Sequence, residues 1–167
     1  YKFSDFLFFF IHKFYRRNIV ITNLQKSFPE YSKKKINDIA NHFYKNFSDV
    51  VFETIKSLSI SKKEILDRVL FKNSEKVLDK ISKNENIVFL TSHACNWEWL
   101  LLSSELKLKC KINVVYKKLS NRRFNKMMLN SRSRFGSVLI ESKKLIKVIK
   151  STKNKSNVWA IVADQSP

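Results

Sequence analysis

A single glycine and two prolines leave this chain almost without the residues that punctuate loops and linkers. That scarcity excludes a linker-rich or repeat architecture, and no internal period is visible. Its two cysteines, Cys95 and Cys110, stand in unrelated local settings. They form neither a metal nor a redox spacing and fit a reducing compartment. Acids are scarce as well: 14 Asp and Glu face 33 Lys and Arg, for a formal charge of +19. Such a surplus predicts attraction to phosphate-rich or acidic surfaces without saying which one. Long apolar runs are missing too. The strongest, Phe3 to Ile11, is interrupted by Asp5 and falls short of the roughly 20 residues a helix needs to cross a bilayer. With the basic flank His12 to Arg17 it reads as an interfacial segment or as the end of a longer membrane helix.

What is present suffices for a domain: 167 residues is near the usual single-domain size and can bury a real core. The chain opens at Tyr1 without Met and stops at Pro167 just after an apolar run, so it is expected to be the N-terminal and central portion of a larger protein. Ser27-Phe28-Pro29-Glu30 looks like a turn. Ser32 then caps a helix in which Ile36, Ile39, Ala40, Phe43, Phe47, Val50, Val51, Ile55 and Leu58 recur at three- and four-residue intervals. Ser61 to Glu64 has capping-box spacing and leads into Ile65, Leu66, Val69 and Leu70. Residues 1–75 therefore read as a helical, membrane-proximal region, in which His42 has no recognisable ligand partner.

From Lys76 the rhythm changes. Apolar runs at Ile87–Leu90, Ile112–Tyr116, Ser137–Ile140 and Val158–Val162 alternate with helical candidates at Trp97–Leu108, Arg122–Phe135 and Lys143–Thr152. Strands separated by helices predict an α/β fold over 76–167, a mainly parallel open sheet with helices on both faces. Active residues of such sheets are expected in loops beyond the carboxyl ends of the strands. His93 and Asp164 both follow an apolar run in that way.

His93 and Glu98 are five apart, about 140° around a continuous helix, and would not share a face. A strand-to-helix turn removes that obstacle: His93 stands in the turn and Glu98, on the first helical turn, reaches back to its imidazole. A carboxylate beside an imidazole fixes its tautomer and stabilises the imidazolium formed on taking a proton, which makes a general base. The same spacing also fits a simple surface hydrogen bond at a helix start. Arg132 and Arg134 lie about 200° apart on a regular helix and address one phosphate only if the helix ends there, where Gly136 supplies a conformation closed to other residues. Lys117, just past the second strand, is placed for a phosphate contact.

His93-Ala94-Cys95-Asn96-Trp97-Glu98 resembles the His-x4-Asp/Glu block of glycerolipid acyltransferases, and its Asn-Trp-Glu ending is similar to that of the late acyltransferases of lipid A biosynthesis. Asn23-Leu24 with Ser27 to Glu30 resembles that family's N-terminal signature, and Phe52 to Lys56 the helix that follows it. Arg132 to Gly136 resembles its Arg-x-Arg block and Ala163-Asp164-Gln165 its Asp-Gln block. The blocks span nearly the whole chain in the family's order.

The resemblance implies a bacterial inner-membrane enzyme working at the cytoplasmic face, held there through its N-terminal segment. It would move an acyl chain from an acyl-carrier-protein thioester, or acyl-CoA, to a hydroxyl of a lipid A precursor, a phosphorylated glycolipid, with no metal, cofactor or acyl-enzyme. His93 would be the base and Glu98 its orienting partner. Arg134 in preference to Arg132, with Asp164, Asn96 and Lys117, would meet substrate. Cys95 is not needed as a nucleophile when the lipid hydroxyl attacks directly. Three other readings compete: acylation of a glycerophospholipid or another membrane glycolipid, a basic nucleic-acid-binding domain, and a membrane-bound structural protein retaining the acyltransferase fold, against which the intact His93 and Glu98 count. The second explains the charge but not the ordered blocks, so no nucleic acid is expected. An anionic membrane is the third partner the charge suits.

Overall fold

The computed structural model describes residues 2–152 and 157–164. The chain divides into two compact units, Tyr1–Lys56 and Ser57–Pro167. The segment 57–75, grouped with the N-terminal helices on sequence grounds, clusters with the sheet-bearing unit.

The first unit holds α1 (Lys2–Phe14), α2 (Arg17–Ser27) and α3 (Lys33–Lys56). The expected turn follows α2, with the Tyr31 N–H donating to the Phe28 carbonyl at 3.1 Å. Ser32 starts α3 as anticipated, its hydroxyl accepting the Lys35 N–H at 3.2 Å and so satisfying one of the free donors at a helix start. α3 buries Ile36, Ala40, Tyr44 and Ser48, a four-residue spacing that keeps side chains one above another. The Tyr44 hydroxyl donates to the Tyr15 carbonyl at 2.7 Å. The buried stripe is narrower than the apolar pattern suggested: Phe43 and Ile55 are exposed, and the helix stops before Leu58. That stripe packs against α1 and α2, flanked by Phe47 stacked on Tyr15 and by Asn37 and Asn41 bonded to Arg17 and His12. On α1, Phe6 and Phe9 are about two-thirds exposed. Among the described residues no helix is long and apolar enough to cross a membrane.

The second unit runs α4 (Lys62–Arg68), α5 (Glu75–Ser82), β1 (Ile87–Thr91), α6 (Trp97–Leu108), β2 (Ile112–Tyr116), α7 (Arg122–Arg132), β3 (Val138–Glu141), a 3₁₀ turn at Ser142–Lys144, α8 (Leu145–Ser151) and β4 (Val158–Val162). Ser61 caps α4 by accepting the Glu64 N–H at 3.1 Å. The helix expected to run to Phe135 ends at Arg132, because Gly136 turns the chain at φ 122°, a conformation that L side chains rarely adopt. The Lys143–Thr152 helix splits into the 3₁₀ turn and the short α8.

All strand pairings are parallel, in the order β1-β4-β2-β3. The last strand is thus inserted between the first and the second. One sheet face, carrying Ile112, Val114 and Val158, packs with Leu108 and Leu101 of α6 and with Val77 and Ile81 of α5. α6 is apolar on nearly every side because its other flank, Trp99 and Leu102, packs on Ile60 and Ile65; a helix buried between two clusters shows no polar stripe. The reverse face is covered less completely than expected. On the edge strand β1, Val88 and Leu90 point that way and Leu90 is 72% exposed.

Candidate active site

β1 ends at Thr91 and α6 begins at Trp97, so the five intervening residues form the predicted turn. Cys95 takes a left-handed conformation there, φ 54°, and Asn96 caps α6 by accepting the Trp99 N–H at 2.9 Å. Asn96, expected at the substrate, therefore uses its side-chain oxygen to start the helix. The turn leaves His93 exposed at the carboxyl end of the strand, its ring edge-on to Trp97 with centroids 4.9 Å apart.

His93's carboxylate partner differs from the expected one. β4 lies beside β1, and the ladder continues one step past the strands, with the Ala163 N–H donating to the Thr91 carbonyl at 2.9 Å. That register delivers Asp164 to His93. Its Oδ1 is 2.8 Å from the imidazole Nδ1, and its Oδ2 accepts the His93 backbone N–H at 2.9 Å. The backbone N–H of His93 first, and its ring second, hold the Asp164 carboxyl below the usual carboxylate range against the opposing effect of burial. With an ionised carboxylate on Nδ1, that nitrogen carries the proton and Nε2 presents a lone pair. Among the described residues Nε2 has no hydrogen-bond partner. Gln165, expected to act alongside Asp164, lies outside the described residues.

Glu98 does not reach back to His93, which corrects the expected pairing. It is 4% exposed and enclosed by donors: Arg132 Nε donates to Oε2 at 2.9 Å, Arg132 Nη2 to Oε1 at 2.6 Å, and the Trp97 indole N–H to Oε1 at 3.1 Å. One helical position determines this: on the first turn of α6 the side chain faces inward, towards the end of α7, where Arg132 is the last helical residue. A buried carboxylate is tolerable when a guanidinium meets it with this fork geometry. Because Arg132 binds Glu98 through Nε and Nη2, its Nη1 has no partner among the described residues.

Arg134, favoured on sequence grounds for the substrate, is engaged elsewhere. It donates to the carbonyls of Ser57 and Ile60, the latter at 3.0 Å, with its guanidinium carbon 5.0 Å from the centre of the Phe135 ring. It ties the α7–β3 turn to the chain ahead of α4. Sequence reasoning overlooked a second anchor of that turn, Glu105. Only 5% exposed, it accepts the Ser137 hydroxyl through Oε1, and its Oε2 is left without a hydrogen-bond partner among the described residues. Burial pushes its carboxyl above the usual carboxylate range, opposed by the Ser137 hydroxyl and by the nearby backbone N–H groups of Ser137 and Phe135. The signal was available: an acid inside the apolar run of α6 has no water to solvate it.

A pocket of about 530 Å³ opens beside these groups. His93, Glu98, Arg132 and Lys117 line it, and its remaining wall is mostly apolar. Asn96, Asp164 and Arg134 do not line it. No group of three or more metal-ligating side chains converges among the described residues. An imidazole with an open Nε2, a fixed guanidinium with a free N–H and an adjoining apolar cavity can deprotonate a hydroxyl, hold an anion and take up a hydrocarbon chain.

No curated protein matches the chain in a sequence comparison. A family model described as bacterial lipid A biosynthesis acyltransferase matches residues 2–166. That match spans nearly the whole of both units, and the chain accordingly belongs to the bacterial lipid A biosynthesis acyltransferase family and is an O-acyltransferase, with an acyl donor and a lipid acceptor as its substrates.

Proposed function

We propose that this enzyme transfers a fatty acyl chain from an acyl-carrier-protein thioester to a hydroxyl of a lipid A precursor, at the cytoplasmic face of a bacterial inner membrane, with His93 as general base. The observation that carries the mechanism is the His93–Asp164 pair: a carboxylate fixes Nδ1–H and leaves Nε2 open at the edge of an apolar pocket. Nε2 takes the proton of the lipid hydroxyl as that oxygen attacks the thioester carbonyl carbon. The tetrahedral species collapses with cleavage of the C–S bond, and the imidazolium returns the proton to the departing thiolate, leaving an ester and a free thiol. Asp164 stabilises the imidazolium between those two transfers.

Arg132 contributes a fixed positive charge. Glu98 holds the guanidinium side-on, and the free Nη1 serves a phosphate of the acceptor or the oxyanion of the tetrahedral species. Lys117 adds a second cation on the pocket wall. The +19 charge suits an acidic carrier protein, a phosphorylated glycolipid and an anionic membrane together, each attraction weakening with salt. Exposed Phe6 and Phe9 on α1, followed in sequence by Lys13, Arg16 and Arg17, suit an interfacial helix that lies on the membrane.

The test supplies the enzyme in detergent with labelled acyl-carrier-protein and coenzyme A thioesters and three acceptors: a phosphorylated disaccharide bearing 3-hydroxyacyl chains, a lysophospholipid and an unphosphorylated glycolipid. Ester formation on the first, fastest with the carrier-protein thioester, is expected. Product on the lysophospholipid alone would replace the proposed acceptor.

A further inference from the structure

The pocket has a graded depth written in the register of the sheet. On the face beneath α6, Thr91 and Val162 are paired nearest the carboxyl ends of the strands. Phe89, Ala160 and Val114 form the next row, and Val158 and Ile112 the one below. Tyr116 to Ile112 along β2 is four residues, about 13 Å at strand spacing. Tyr116 and Val162 line the pocket towards His93, while Ile112 and Leu108, both nearly inaccessible core residues, close its far end.

Ala160 stands at mid-depth, on the central strand β4, between Phe89 and Val114. It is the smallest of the sheet side chains that line the cavity. The α6 wall shows the same feature. This helix runs back from the reactive end at Trp97 to the floor at Leu108, and between the two levels it presents Ser104. Ala160 and Ser104 are thus the small side chains at mid-depth, where Phe89 and Val114 stand on either side of Ala160.

We infer that Ala160, together with Ser104, sets the length of the acyl chain the enzyme accepts, by leaving the waist of the pocket open so that the chain passes the central row and ends against Ile112 and Leu108. This rests on the proposed reading of the pocket as the donor's chain site. The donor's reactive carbonyl must lie beside His93 Nε2, so its single linear chain has to extend away from that atom, and the cavity leads away from it along the strands. A volume of about 530 Å³ is in the range of pockets that enclose one small ligand.

A larger residue at Ala160 blocks the waist and shortens the usable depth. Each methylene that loses its buried place weakens binding roughly fourfold, so two lost methylenes cost about 15-fold. The experiment measures kcat/KM for decanoyl, dodecanoyl, tetradecanoyl and hexadecanoyl thioesters with the wild type, Ala160→Val and Ala160→Leu. Val is the milder change and suits a strand, so it retains the test if Leu impairs folding. In parallel, free fatty acids of the same lengths displace a fluorescent fatty-acid probe from each protein. The expected result is a shift to shorter chains, graded Val then Leu, with the long-to-short ratio falling about 15-fold or more in Ala160→Leu. An unchanged ratio, or an equal fall at every length, overturns the inference. If the wild type transfers no acyl group yet binds fatty acids, the transfer reading fails, and the displacement series still decides the role of Ala160. If it binds none, the inference falls.

Discussion

Replacing Asp164 with Asn separates the two carboxylates near His93 with the smallest change of shape. Asp164 uses both oxygens on one residue, accepting the backbone N–H at 2.9 Å and meeting Nδ1 at 2.8 Å. An amide has one oxygen and one NH₂, and cannot satisfy both donors. If its oxygen keeps the backbone N–H, its NH₂ faces Nδ1, which must then become the acceptor. The ring proton moves to Nε2, and the lone pair that should receive the hydroxyl proton is gone. If the amide turns over, the NH₂ faces the backbone N–H and the turn opens. General-base catalysis contributes about 10²–10⁴ in rate, so kcat should fall by that order while KM for the thioester changes little, since Asp164 does not line the pocket. The assay is steady-state transfer with labelled thioester, alongside thermal unfolding to show that the variant is folded. Wild-type kcat in a folded Asp164→Asn protein would refute the assignment of Asp164 as the positioning residue.

Glu98→Gln should behave differently, because it strips the counter-charge from Arg132 in a nearly closed site. A loss towards the lower end of about 3–5 kcal/mol is expected, since Arg132 retains some exposure, and Glu98→Gln combined with Arg132→Met should recover Tm but not activity. Arg134→Ala should cost about 1.5–3 kcal/mol in denaturant unfolding through the lost bonds to two carbonyls, with little change in KM. For Glu105, the raised carboxyl means that the folded state holds its proton more tightly than the unfolded one. Its stabilising effect is full below the ordinary carboxylate range and is lost as pH rises through the folded value, with a slope of at most about 1.4 kcal/mol per pH unit. The stability difference between Glu105→Gln and wild type, followed by unfolding at stepped pH, should therefore shift in the variant's favour as pH rises. Cys95→Ala should keep most activity, because no step uses the thiol; near-total loss in a folded variant would point to an acyl-cysteine.

Local signals carried much of the fold. Ser32, Ser61 and Asn96 start helices because their side-chain oxygens meet the N–H group three residues on, an interaction contained in the adjacent sequence. The four apolar runs became the four strands for a similar reason. Strand order was not local: nothing in the spacing of the runs says that β4 enters between β1 and β2. The place of His93 in a strand-to-helix turn was legible in its motif, yet its partner was not, since Asp164 is brought to it only by that insertion. The inward direction of Glu98 likewise depends on where α7 ends. Arg132 and Arg134 look alike in sequence, and the structure distinguishes them through Glu98 on one side and the Ser57 and Ile60 carbonyls on the other.

The proposed mechanism turns on His93 Nε2 removing the proton of the attacking hydroxyl. Its most direct test is a single-turnover measurement of ester formation on the phosphorylated disaccharide acceptor, with enzyme in excess over labelled thioester, comparing wild type with folded His93→Ala. A fall of about 10²–10⁴ in the first-order rate with thioester binding preserved is expected; equal rates in the two proteins would exclude His93 as the general base.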